Sequence, residues 1–281
     1  MKKNIIIVFL LFIILILLGI IFNIFSLGVY KEKIIINKNY YIDEFPKKYD
    51  FSSKRVFIEG DSIQAGSGKF LEKTCFLLDT KYPVNKSVSG ATLAYRKDSN
   101  NTLYHRIIEN EDLDFKEFDV VLIAAGINDY DMSIPVGNYN SINKDESSGA
   151  LNLIINKIHD DNKNAKIIIF TPMYRFKNGK NQEMVKNATG LSLKTYRNTL
   201  KKVGGQDKYK EFLYVIDGDK LSHPDEYLNM TIDGLHPTEE LASIISKRAS
   251  VKLSKLILID NVEANGIKAY KIKHHYLWST L

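Results

Sequence analysis

The chain has 281 residues, 44% of them hydrophobic and 26% charged, with a formal net charge of +6. This is the composition of a globular protein with enough apolar sequence for one substantial core. Cys75 is the single cysteine, which excludes a disulfide within the chain, and its neighbours Phe76, Leu77 and Leu78 mark it as a small buried hydrophobe.

The first element is a run of 18 uncharged residues, 5–22, interrupted only by Gly19. As a helix it is long enough to span a hydrocarbon core and it has no polar face, which argues against a buried core helix. Two readings compete: a secretory signal that is removed, with Ser26-Leu27-Gly28 as a weak cleavage site, and an uncleaved anchor. The run exceeds the usual length of a signal h-region, so a membrane anchor through residues 5–25 is expected. Lys2 and Lys3 precede it while Lys31, Lys33 and Lys38 follow it, so the positive-inside rule gives no clean orientation. A short basic tail before an apolar run is how an export signal looks, and residues 31–281 are therefore expected outside the cytoplasm. Without Lys2 and Lys3 the formal +6 becomes +4, so the exported part stays mildly basic. The richness in Ile, Lys and Asn is typical of AT-rich bacterial genomes, so the sequon at Asn187 is expected to be a chance match.

Four segments follow from the pattern. Residues 1–30 are the anchor or signal, 31–54 a charged, tyrosine-rich linker, 55–256 the folded domain, and 257–281 an extension in which Asn265-Gly266 suggests a β-hairpin. Within the domain, residues 55–59, 84–88, 119–125, 166–170 and 212–216 read as strands, most of them apolar throughout. Helical spacing appears over 62–80, 147–159 and 191–202, and again after Pro237. Apolar strands alternating with amphipathic helices predict an α/β fold, a three-layer α/β/α sandwich around a mostly parallel sheet. In such a sheet the ligand site lies beyond the carboxyl ends of the strands.

Four polar stretches fall at those ends. The first strand runs into Gly60-Asp61-Ser62, where a serine at a helix N-terminus could act as a nucleophile or where either polar residue could simply cap the helix. The second runs into Ser89-Gly90-Ala91-Thr92, where a glycine either turns the chain or brings its N–H close to a substrate oxygen. The third ends in Gly126-Ile127-Asn128-Asp129, whose asparagine can donate to an oxyanion or close an Asx-turn. The last, Asp233-Gly234-Leu235-His236, is spaced so that the carboxylate can bond one imidazole nitrogen while the other faces a serine. Pro237 is expected to open the following helix.

Taken in order, GDSIQAG, SVSGAT, AAGINDY and DGLHPT resemble the blocks of the SGNH (GDSL-type) hydrolase family, over residues 56–249. The resemblance implies Ser62 as nucleophile, His236 as general base and Asp233 as its orienting carboxylate. It also implies an oxyanion hole from the N–H of Ser62, the N–H of Gly90 and the side chain of Asn128. Ile127 stands where the family commonly has threonine, a change outside the reacting groups. An ester-cleaving serine hydrolase follows, without cofactor or metal. Its expected substrate is an acylated carbohydrate of the cell envelope, O-acetylated above all, or another small ester.

The rivals are an O-acyltransferase with the same triad, a lipase or thioesterase, and a non-catalytic surface protein that binds glycans. No H-E-x-x-H spacing suggests a metal hydrolase, and no G-x-G-x-x-G or P-loop follows the first strand. No nucleic-acid partner is expected. The remaining histidines have bland places: His105 and His159 in helical patterns, His223 before a proline, and His274-His275 in the tail. The long connection over 130–144 follows Asn128 directly and is a candidate border of the pocket.

Overall fold

The computed structural model describes residues 53–66 and 68–264. The expected membrane segment and nearly all of the linker lie outside the described residues. Among the described residues no helix is long and apolar enough to cross a membrane.

Five strands form the central sheet: β1 (Arg55–Gly60), β2 (Lys81–Asn85), β3 (Val120–Ala124), β4 (Lys166–Phe170) and β5 (Leu213–Ile216). The order is β2-β1-β3-β4-β5 and every pair is parallel. Each crossover therefore needs a connection long enough to return to the start of the sheet, which helices supply. They are α1 (Ser62–Ala65), α2 (Phe70–Leu77), α3 (Leu103–Ile108), α4 (Ile127–Asp131), α5 (Ser147–Asp161), α6 (Leu193–Gly204), α7 (Pro224–Asn229) and α8 (Glu239–Ala264). A two-strand ribbon, Phe176–Lys177 with Lys180–Asn181, stands apart from the sheet.

Alternate residues of each strand face opposite layers, and here both faces are apolar. Val56, Ile58, Leu122, Ile168 and Phe170 join one core with Phe70, Leu71 and Cys75 of α2 and with Leu241, Ile245 and Ala249 of α8. Phe57, Val121, Ile123, Ile167 and Ile169 join the other, with Leu103 and Ile107 of α3, Ile154 and Ile158 of α5, and Leu200 and Val203 of α6. This is the three-layer α/β/α sandwich expected from the sequence. Burial pushes the Cys75 thiol up to about 12, as fits a packing residue.

Three local expectations are corrected. The helix expected over 62–80 is two helices, because Gly66 and Gly68 interrupt it and Lys69 enters α2 with a φ of 29°. The second strand lies at Lys81–Asn85, three residues earlier than its apolar pattern suggested. Residues 257–264 continue α8, where one arm of the hairpin was expected, and the Asn265-Gly266 turn lies outside the described residues. Short apolar runs carry no decisive period, and lengthening an existing helix needs no new nucleus.

Candidate active site

The end of β1 sets the first feature. Asp61 caps α1, its Oδ1 accepting the Ile63 N–H at 3.0 Å, while its carbonyl accepts the N–H groups of Gln64 and Ala65. Asp61 thus does the capping. Ser62 is left at the first helical position, half-buried, where a backbone N–H has no acceptor within the helix. Burial pushes the Asp61 carboxyl up to about 7, with the bond from Ile63 opposing the rise and the nearby Asp129 adding to it.

The second feature lies between α7 and α8. Ser62 Oγ is 2.9 Å from His236 Nε2, and His236 Nδ1 is 2.8 Å from Asp233 Oδ2. The other carboxylate oxygen, Oδ1, accepts the N–H groups of Leu235 and His236 at 3.0 and 2.9 Å. Burial acts to raise the Asp233 carboxyl, but those N–H bonds and the His236 ring outweigh it and hold it below the ordinary carboxylate range. The three side chains form one continuous hydrogen-bonded chain.

Backbone bonds fix this loop. The Ile232 N–H donates to the His236 carbonyl and the Thr238 N–H to the Met230 carbonyl. Pro237 pairs in an isolated bridge with Thr231 and does not open the helix, which starts at Glu239. Thr238 Oγ1, accepting the Leu241 N–H at 3.3 Å, takes the capping place instead. Gly234 has φ +77°, and a Cβ there would lie 2.3 Å from the Phe176 carbonyl oxygen, which itself faces the loop. The Phe176 N–H returns a bond to the Gly234 carbonyl at 2.7 Å.

Arg175 was not singled out in the sequence. It follows the carboxyl end of β4, the one sheet position for which no polar block was recognised. Its Nη1 donates to the Asp233 carbonyl at 3.1 Å and its Nε to Asp131 Oδ2 at 3.2 Å, joining the Asp233 loop to the end of α4. The rule that sites gather at strand ends was the available signal.

The third feature joins β2 and β3. Val88 donates to the Gly60 carbonyl at 3.1 Å, and the registered pair Gly60 and Ala124 sets the ends of β1 and β3 side by side. Gly90 is exposed with φ +75°, and a Cβ there would meet nothing within 4 Å, so the left-handed backbone and not crowding favours glycine. Asn128, only 9% exposed, donates from Nδ2 to the Ala91 carbonyl at 2.9 Å. Its amide carries a second N–H. Asp129 is fully buried and accepts the N–H groups of Leu93 and Ala94 at 2.9 and 3.1 Å.

A pocket of about 210 Å³ opens beside Ser62 and His236, lined further by Ile63, Gly66, Ser89, Ile232 and Pro237. The connection over 130–144 contributes nothing to its lining. Ile232, 71% exposed at the rim, was also not foreseen, since an exposed isoleucine in a loop carries no sequence signal of its own. Among the described residues no group of three or more His, Cys, Asp and Glu side chains is placed to hold a metal ion. Asn187, in the sequon, spends its amide on the Tyr130 carbonyl and the Tyr196 hydroxyl.

Comparison with known proteins follows the same lines. Residues 59–242 match the GDSL-like lipase/acylhydrolase family model. The fold is shared with a protein from Lactobacillus plantarum, at 18% identity and TM-score 0.59, over 73% of this chain and 98% of that one. It is shared as well with a possible lipase from Chitinophaga pinensis, at 20% identity and TM-score 0.56, over 73% of this chain and 100% of that one. A salicylyl-acyltransferase from a tetracycline biosynthetic pathway, SsfX3, aligns at 15% identity and TM-score 0.54, over 75% of this chain and 57% of its own. No curated protein matches the sequence. With most of the described fold inside one family match, the chain belongs to the GDSL-like lipase/acylhydrolase family.

Proposed function

We propose that the protein is an extracytoplasmic serine esterase that removes O-acyl groups, O-acetyl above all, from carbohydrate of the cell envelope. The observation that carries the reading is the unbroken chain from Asp233 Oδ2 through the His236 ring to Ser62 Oγ, with both links under 3 Å. In it, Ser62 gives its proton to His236 Nε2 as Oγ attacks the ester carbon. The carbonyl oxygen becomes an oxyanion, met by the N–H groups of Ser62 and Gly90 and by the second N–H of Asn128. His236 then passes the proton to the leaving alcohol oxygen, and the acyl group stays on Ser62. Water repeats the sequence and frees the acid. Asp233 holds Nδ1–H and stabilises the charged ring.

The location expected from the sequence suits the substrate class. An anchor through residues 5–25 would place the mildly basic domain among anionic envelope polymers. Acyl transfer to a sugar hydroxyl uses the same steps with that hydroxyl in place of water. The test is hydrolysis of a short-chain aryl ester and acetate release from isolated envelope polymers, by wild type and Ser62→Ala. Loss of both activities in Ser62→Ala is expected, and equal rates would sink the reading. Added sugar acceptors separate freed acetate from transferred acetate. Protease treatment of intact cells should digest the domain, and its survival would overturn the topology.

A further inference from the structure

Gly90 sits at the exposed apex of a loop that is pinned on both sides. On one side Val88 bonds Gly60, next to the Asp61-Ser62 turn. On the other, three residues of the next four are gripped by two neighbours of α4: Ala91 through its carbonyl by Asn128, and Leu93 and Ala94 through their N–H groups by the two carboxylate oxygens of Asp129. Asp129 has no solvent exposure, and its two oxygens point to separate main-chain donors one residue apart. A side chain so used is a two-point clamp on a loop: burial pushes its carboxyl up, and the Leu93 and Ala94 N–H bonds oppose that rise.

We propose that Asp129 is a positioning residue for the oxyanion hole, fixing the Gly90 loop to the same helix that carries Asn128. The inference rests on the esterase reading above. Because Asn128 and Asp129 are consecutive, the side-chain donor and the clamp on the main-chain donor share one rigid frame. Errors in the position of one donor relative to the other are thereby kept small, which is what preorganised stabilisation of a developing charge requires. Asp129, fully buried, offers a substrate no surface.

The test is Asp129→Asn, which keeps the shape but sets an amide N–H against a main-chain N–H. Aryl-ester turnover should fall by about 10–100-fold in kcat with KM little changed, a smaller loss than removal of a whole oxyanion donor. In an Asn128→Ala background the same substitution should lower kcat no more than about twofold further, because both act on one hole. Amide exchange at Leu93 and Ala94, followed by NMR, should quicken in Asp129→Asn.

Unchanged kcat, a loss confined to KM, or full additivity with Asn128→Ala overturns the proposal. If Asp129→Asn does not fold, Asp129→Glu keeps the charge and displaces the clamp. The same kcat-selective loss is expected there, and a folded Asp129→Glu with wild-type kcat overturns it. Should Ser62→Ala retain wild-type turnover, the esterase reading fails and the positioning role fails with it. The exchange rates then still report whether Asp129 clamps the loop.

Discussion

Ser62 Oγ and His236 Nε2 lie 2.9 Å apart although 174 residues separate them. The helices that follow each residue, α2 and α8, hold them there. Ser246 Oγ donates to the Phe70 carbonyl at 2.9 Å, Thr74 Oγ1 reaches the Ser246 carbonyl at 3.4 Å, and Lys73 pairs with Glu239. Both side-chain bonds are buried between the helices, so the two halves of the pair are carried by one packed unit.

Replacing either ring or carboxylate should separate their duties. His236→Ala removes the proton acceptor and should lower kcat by about 10⁶, whereas Asp233→Asn leaves the acceptor and should cost about 10²–10⁴. The smaller loss is expected at the low end because the Asp233 side chain is 49% exposed, so water shares its role. Steady-state kinetics on an aryl ester decide it. Equal losses for the two variants would mean that Asp233 is as indispensable as the base.

Asn128→Ala removes a donor and frees the Ala91 carbonyl it holds. Turnover should fall by about 10²–10³, with the fold retained by far-ultraviolet circular dichroism. Near-normal activity in the folded variant would exclude Asn128 from the oxyanion hole.

Gly234→Ala tests the loop behind His236. A side chain at φ +77° is strained, and its Cβ would sit 2.3 Å from the Phe176 carbonyl oxygen. A loss of roughly 1–3 kcal/mol in denaturant unfolding is expected, with reduced turnover as His236 shifts. Wild-type stability would show that the loop relaxes freely.

The buried Asp61 carboxyl gives a pH signature. Its folded pKa of about 7 lies above the ordinary 3.8, so the folded state holds the proton more tightly than the unfolded chain. Stability from this group is therefore full below pH 4 and is lost as pH rises toward 7. Asp61→Asn removes the titration, so its melting temperature should gain on that of wild type across that window. The underlying change in unfolding free energy should amount to at most about a few kcal/mol. Parallel melting curves at pH 4 and pH 7.5 would refute the burial effect.

Much of the fold was legible because strand and helix periods are local. Residues 166–170, apolar from Ile167 to Phe170, are short and rich in β-branched isoleucine, which favours a strand covered on both faces, and β4 occupies those positions. Ser62, Gly90, Asn128, Asp233 and His236 were singled out because four polar blocks fell in order at strand ends and resembled one family, and the structure joins Ser62, His236 and Asp233 by hydrogen bonds. The same locality misled at residues 257–264, where an apolar run gave no period to choose helix over strand. It was silent on Arg175 and Asp129, whose partners Asp233, Leu93 and Ala94 are 58, 36 and 35 positions away.

The sequence by itself determined the layered α/β architecture and the kinds of reactive group, since both follow from side-chain type and short spacing. Only the tertiary structure decided which groups meet. The 2.9 Å contact of Ser62 with His236, the spending of one Asn128 N–H on Ala91, and the capture of the Gly90 loop by Asp129 all depend on strand order and helix packing. Those are set by burial summed over the whole core, which no short stretch encodes.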